Sequence, residues 1–335
     1  MKRKIKRIIA GVMAVAMAGT LFASCSQGGA NNDGKLKIGV IQLVEHDALD
    51  ATYKGFKDAL AEAGYSEDKG NVEFVYNNAQ NDKATCVTIA NNLATSDVDM
   101  VLAIATNAAQ AVAEKIKDKP IIATAVTDFV EAGLVKSNEA PGTNVSGASD
   151  LNPISRQIDL LTQLVPDAKN VGILYCSSEP NSEVQAEEAK KALSAKNISS
   201  QKFTITAPTD IQSVVESMAG KVDAIYVPTD NTMATGMPTA SEAATKLGIP
   251  MIVAEPAVVK TGGLATYGID YYSTGKVAGK MALDVLLNNA DISKMPVAFQ
   301  GEEDLELAVN TETAKKLNFV FPESILSKAK KYPEQ

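Results

Sequence analysis

The chain is poor in the residues on which most catalytic and nucleic-acid-binding proteins depend. Among 335 residues there are no tryptophans, one histidine and three cysteines; aromatic residues make up 5%, and acidic residues outnumber basic ones 40 to 32. A single histidine, His46, cannot build a His-rich metal site, and it confines any Ser–His or Cys–His nucleophile pair to its own surroundings. No Gly-x-Ser-x-Gly elbow, Gly-x-Gly-x-x-Gly turn or Gly-x-x-x-x-Gly-Lys-Ser/Thr loop occurs, so no catalytic serine turn, dinucleotide site or ATP site is indicated. Paired carboxylates are a further catalytic arrangement that the composition leaves open. The acid excess argues against nucleic acid, whose binding requires phosphate neutralisation. No apolar run reaches the roughly 20 residues of a comfortable membrane span.

What is present begins with MKRKIKR, followed by the apolar run IIAGVMAVAMAGTLFA and then Ser24-Cys25. A basic start, a short apolar stretch and small residues before a cut are the layout of an export signal over residues 1–24. Cys25 directly after Leu21-Phe22-Ala23-Ser24 resembles a bacterial lipobox, with Phe22 where Leu or Val is commoner. That resemblance implies acylation of Cys25 and an extracytoplasmic protein held at the cell membrane by lipid. Residues 25–36 read as a flexible Gly/Asn/Ser tether. Cleavage would remove Lys2, Arg3, Lys4, Lys6 and Arg7, leaving 27 basic residues against 40 acidic ones and a net charge near −13. Cys86 and Cys176 fall in different halves of the chain and read as free and buried.

The stretch from Lys37 to Tyr65 organises the rest. Ile38, Val40 and Ile41 suit a buried strand; Leu49, Tyr53, Phe56, Leu60 and Ala63 share one helical face; Asp47 suits the helix start and Gly64 its end. The pattern then recurs. Asn170–Leu174 echoes Lys37–Ile41, Val222–Ile225 echoes Val98–Val101, and Pro250–Ile252 echoes Pro120–Ile122, at nearly constant spacing and in the same order. Two similar α/β lobes follow, with parallel sheets flanked by helices: 37–147 plus 271–296, and 148–270 plus 297–335. Crossings are expected near Gly147, Asp270 and Pro296, with a return strand from Pro296 to Phe299. A capping box is expected at Ser182-x-x-Gln185. The strand-end loops at 42–47, 105–107, 126–128, 176–181, 228–231 and 254–256 are polar and would face a crevice between the lobes.

The strings IQLVEHDALDATYKGF, AIATNAAQ, TAVTDF, YCSSEPNS, VPTDN, AEP and YGIDYYSTGKVAG together resemble the ABC-transporter substrate-binding proteins of the tryptophan/tyrosine type, over roughly residues 37–320. The resemblance implies a type I periplasmic-binding fold: two Rossmann-like lobes, three hinge crossovers, and closure on a small ligand. It implies a ligand-capturing protein, not an enzyme, with no cofactor and no metal, acting as a monomer. It would deliver an amino acid, aromatic ones favoured, to a membrane permease driven by a separate ATPase. A ligand-sensing partner of a membrane receptor, or a carrier of another small solute, would share these features. Asn107 and Phe129 stand where the family pattern has proline.

An amino acid presents a carboxylate, an ammonium and a side chain. Thr106, at a helix start, suits the carboxylate, with Ser177, Ser178 and Asn181 facing it. Asp230 is the first candidate for the ammonium and Asp128 the second, followed by Glu45, Glu179 and Glu255. Gln42, Thr127, Thr229 and Asn231 can hydrogen-bond polar atoms. Val44, His46, Tyr267, Tyr271 and Tyr272 can meet a ring.

Overall fold

The computed structural model describes residues 34–301 and 304–333. The expected leader, the acylation site at Cys25 and the tether as far as residue 33 lie outside the described residues. The described strands are β1 Leu36–Gln42, β2 Val72–Asn78, β3 Met100–Ile104, β4 Ile121–Val126, β5 Val145–Ser149, β6 Asn170–Cys176, β7 Ser199–Ile205, β8 Ala224–Val227, β9 Met251–Val253, β10 Ala265–Ile269, β11 Leu305–Asn310 and β12 Lys330–Tyr332. The helices are α1 Asp47–Glu62, α2 Lys83–Thr95, α3 Thr106–Lys115, α4 Ile154–Leu164, α5 Pro180–Ala195, α6 Ile211–Glu216, α7 Asn231–Lys246, α8 Pro256–Lys260, α9 Tyr271–Asn288, α10 Thr311–Lys316 and α11 Glu323–Leu326.

Two sheets form, ordered β2-β1-β3-β4-β5 and β12-β11-β10-β9-β8-β6-β7. All pairings are parallel except β10 with β11. The internal repeat thus has a structural meaning: β7-β6-β8-β9-β10 reproduces β2-β1-β3-β4-β5, a doubly wound order with its ligand crevice beyond the strand carboxyl ends. Even the repeated Val-Asp has one role in both lobes. Asp99 Oδ2 accepts from Lys37 N at 2.8 Å, and Asp223 Oδ2 accepts from Asn170 N at 2.8 Å, so each carboxylate pins the start of the neighbouring strand. In the second sheet alternate residues go to opposite faces. Ile225 and Val227 join one apolar layer with Met251 and Val253, while Ala224 and Tyr226 join the other with Ile252.

The chain passes between the lobes at 150–153, at Asp270, and between Ala298 and the start of β11 at Leu305. Helix α9 therefore returns to the first lobe, where Ala278, Met281 and Ala282 enter its core. No strand forms at Pro296–Phe299; only Ala148 and Ala298 make a bridge there, and the return strand is β11, further on and antiparallel. The crossings are tied together: Asn152 Oδ1 accepts from Ile269 N at 3.1 Å, and Gln300 Nε2 donates to Asp270 O at 2.7 Å.

Helices α1 and α9 pack backbone to backbone. A Cβ on Gly275 would lie 2.0 Å from Thr52 O, and one on Gly55 would lie 2.1 Å from Tyr272 O. Gly275→Ala is expected to lower stability by about 1–3 kcal/mol, because the helices must part to admit the methyl group. Urea denaturation checks this, and an unchanged midpoint would show that the seam has room.

Candidate functional site

The carboxyl ends of the two sheets meet, and named hydrogen bonds join them. His46, after β1, bonds through Nε2 to Asn231 Oδ1 at 3.1 Å. Asn81, after β2, donates from Nδ2 to Thr232 Oγ1 at 2.9 Å. Gln185 on α5 donates to Thr127 Oγ1, after β4, at 3.3 Å. At the exposed rim Lys260 pairs with Asp47 at 2.6 Å, a contact of little energetic weight. A groove of about 250 Å³ opens at the mouth, lined by His46 and Asp47 from one lobe and Ala234, Pro238, Ala257 and Val258 from the other.

Glu179 stands at the centre of the second lobe's share. It is fully buried, and both carboxylate oxygens are used: Oε2 accepts from Asn231 N (2.9 Å) and Nδ2 (2.7 Å), Oε1 from Thr232 N and Oγ1 (both 2.8 Å). The carboxylate thus occupies the N-terminus of α7, where the unpaired N–H groups and helix dipole favour an anion. Because Asn231 Nδ2 donates to Glu179, its Oδ1 is the acceptor, and His46 Nε2 must carry the proton. Burial lowers the His46 pKa, which keeps the ring neutral with that single proton. Two parallel chains result, His46–Asn231–Glu179 and Asn81–Thr232–Glu179, each starting in the first lobe and ending on one carboxylate of the second.

The N-terminus of α3 differs. It has no side-chain cap, and Thr106, Asn107 and Ala108 are buried there. Ala105, which leads into it, has φ 82° and ψ 154°, a conformation almost confined to glycine. Ala125, at a register shift between β4 and β5, has φ 52°. Both strained residues sit at strand ends bordering the crevice, the usual place for strain that aims backbone groups at a ligand.

The charge balance inside the protein is one-sided. Among the described residues the buried ionisable acids are Asp150, Glu179, Asp230 and Glu255, and no lysine or arginine is buried. Asp150, in the first crossing, accepts from Thr127 Oγ1 (3.0 Å) and Tyr271 OH (2.9 Å), which ties the first lobe and the second crossing to one carboxyl. Burial pushes its pKa up to about 6. Burial also raises Glu255 well above the carboxylate range, reinforced by Asp150, Asp230 and Glu179. Glu255 Oε2 has no hydrogen-bond partner, and neither has Gln42 Oε1 at the end of β1.

Several candidates are placed elsewhere. Asp230 is a structural cap: its carboxylate accepts from Met233 N (2.8 Å) and from Cys176 N (2.6 Å), locking α7 to β6. Asp128 accepts from Val130 N and Glu131 N and holds the turn after β4, at the edge of a small cleft shared with Thr106 and Asn181. Ser177 and Ser178 are exposed and turn toward the β7 side, bonding Ile205 O and Cys176 Sγ respectively. Tyr267 packs on the far face of the second lobe beside Arg156, Leu160 and Leu307. Tyr272 bonds Asp58 on the outside of α1. Glu45 is exposed beside Tyr76 OH (3.4 Å), and Val44 packs against the first lobe's core. Thr229 and Asn181 bond one another and Ser182 at the end of β8. Ser182 lies inside α5, which starts at Pro180, so the expected capping box is absent and its hydroxyl serves Thr229 O instead. His46, not Asp47, occupies the cap position of α1. Phe129 is a core residue of the first lobe.

The reading of the residues missed Asp150, Asn81, Thr232 and Gln185. Asp150 had a signal, an acid directly after a buried strand; Asn81 had none, because β2 lacks the continuous apolar run of its neighbours.

A family model described as ABC transporter substrate binding protein matches residues 37–332. A tyrosine-binding protein of Clostridioides difficile (strain R20291) is 39% identical over 327 residues, 95% of this chain and 92% of that one. A Streptococcus pneumonia ABC domain in complex with L-Trp is 39% identical, with a TM-score of 0.84 over 89% of this chain and 99% of that one. A substrate-binding protein with adhesive properties from Clostridium difficile, in a ligand-free open structure, is 41% identical, with a TM-score of 0.69 over 90% of this chain and all of that one (100%).

Proposed function

Given that the chain belongs to the ABC transporter substrate-binding family, whose members bind solutes and are not enzymes, we propose that it captures an aromatic L-amino acid between its lobes. It then delivers the ligand to a membrane permease driven by a separate ATPase, as a monomer anchored by lipid on Cys25. The observation that carries the ligand assignment is the pairing of an uncapped helix N-terminus with a buried acidic cluster that contains no cation. A zwitterion complements both. Its carboxylate fits α3, because Glu179 already fills the equivalent position at α7; its ammonium fits Glu255 Oε2, beside Asp150. Thr106, Asn107, Thr127, Asp150, Glu255 and Tyr271 are the proposed backbone contacts.

The same charge balance gives a reason for closure to depend on ligand. Burying acids without a cation is costly, and an arriving ammonium offsets that cost only in the closed form, so ligand and closure favour each other. The higher structural similarity to the L-Trp complex than to the ligand-free open relative supports reading the present arrangement as the closed one.

Thermal unfolding with single solutes tests the proposal. At 100 times the dissociation constant a true ligand adds about 2.7 kcal/mol of stability, and tyrosine or tryptophan should do so while sugars and purines should not. A shift with sugars alone would overturn it. The pH dependence has a definite sign. A folded-state pKa raised to about 6 means that Asp150 favours the unliganded closed form at low pH, an advantage lost as pH rises through 6. A ligand ammonium must displace that proton and the one burial holds on Glu255, so affinity should increase as pH rises through 6 and keep increasing into the higher range where Glu255 ionises.

A further inference from the structure

We infer that Gln42 reads a hydrogen-bond donor on the ligand side chain, so that the crevice prefers tyrosine and tryptophan to phenylalanine. This rests on the amino-acid reading above and adds the atom that discriminates within the aromatic class. Gln42 is the last residue of β1 and is fully buried. Its Nε2 donates to Val44 O at 2.9 Å and to Asp50 Oδ1 at 2.7 Å. Both partners are acceptors, which fixes the orientation of the amide and makes Oε1 the free end. That oxygen is buried without a partner. Buried acceptors are nearly always satisfied, so an immobilised one at a strand carboxyl end points to a donor supplied from outside the chain.

The strand order puts this acceptor within reach of a ligand side chain. β1 lies directly beside β3, whose end leads into α3. An amino acid with its carboxylate on α3 therefore has Gln42 about one strand spacing, ~4.8 Å, to one side, while Asp150 and Glu255 hold the ammonium toward the hinge. His46, four residues on, lines the groove at the mouth and supplies ring surface, while Leu43 and Val44 anchor the segment in the first lobe's core. The tyrosine hydroxyl and the indole N–H both donate; phenylalanine offers nothing, and a ligand carboxylate would offer only a second acceptor. Sites built around a buried polar group reject analogues that leave it unpaired far more strongly than they reject a small change in size.

The test is calorimetry on the mature chain with L-tyrosine, L-tryptophan, L-phenylalanine and O-methyl-tyrosine, for the wild type and for Gln42→Leu. Wild type should bind phenylalanine and O-methyl-tyrosine at least about tenfold more weakly than tyrosine. Gln42→Leu should bring tyrosine and phenylalanine within about threefold of one another, chiefly by weakening tyrosine. Equal binding of tyrosine and O-methyl-tyrosine by wild type overturns the inference without reference to any variant, so a misfolded Gln42→Leu does not protect it. A variant that weakens all these ligands alike also overturns it, since Oε1 would then serve the ligand backbone or a trapped water. If none of them binds wild type, the amino-acid reading itself falls, a result distinct from loss of discrimination.

Discussion

Glu179→Ala is expected to lower stability by about 3–5 kcal/mol and to abolish tight closure. The side chain accepts four hydrogen bonds at 2.7–2.9 Å, two from the backbone at the start of α7 and two from the side chains that face the first lobe. Truncation leaves those donors buried without an acceptor and removes an anion from a helix N-terminus. Asn231 and Thr232 then lose the orientation with which they meet His46 and Asn81. Relief of repulsion with Asp230 and Glu255 acts in the opposite direction. Direct contacts should outweigh it, and Glu179→Gln isolates the two effects by keeping the shape and one acceptor while removing the charge. Urea unfolding reads the stability, and small-angle scattering with saturating ligand reads the closure. An alanine variant with an unchanged midpoint and an unchanged compaction on ligand binding would mean that the two chains are incidental.

The second expectation has opposite signs for stability and binding. Glu255→Gln should weaken tyrosine or tryptophan binding about 10- to 100-fold, the value of a charge-assisted hydrogen bond. It should also leave the unliganded protein as stable as wild type or more so, because a buried carboxyl whose ionisation is disfavoured by burial and by its acidic neighbours is replaced by a neutral amide. A purely structural Glu255 would give loss of stability instead. Asp230→Asn is the internal comparison: its carboxylate holds two backbone N–H groups, so stability falls, and affinity falls only through the loss of α7's position.

Much of the fold was legible because buried parallel strands are continuous apolar runs and because the repeat set them in order. β1, β3, β4, β6, β8 and β9 each stood out in this way. β2 and β7 did not, since they lie beside a single neighbour within the repeated unit and are partly exposed, with Val75 and Tyr76 facing solvent. β11 was misplaced by several residues because Pro296-Val-Ala-Phe has strand composition, yet the chain there is still leaving the first lobe. Several of the strand-end loops lie where the two sheets meet, but composition could not tell a capping acid from a free one. Asp230 and Glu255 both follow strands and precede helices; only their partners distinguish them. Asp230 has two backbone donors on its carboxylate, whereas an oxygen of Glu255 has none. Tyr267 and Tyr271 posed the same difficulty. They lie on a strand and at a helix start four residues apart, and that spacing sends one to the outer face and the other to the hinge.

The central claim is that a ligand ammonium completes the buried acidic crevice, and deletion of that group alone tests it most directly. Calorimetry would compare tyrosine or tryptophan with its des-amino analogue on wild type and on Glu255→Gln. On wild type, loss of the amino group should weaken binding about 10- to 100-fold. On Glu255→Gln the further loss should be small, because ligand change and mutation remove the same contact and their effects do not add. Equal binding of amino acid and analogue by wild type would contradict the claim.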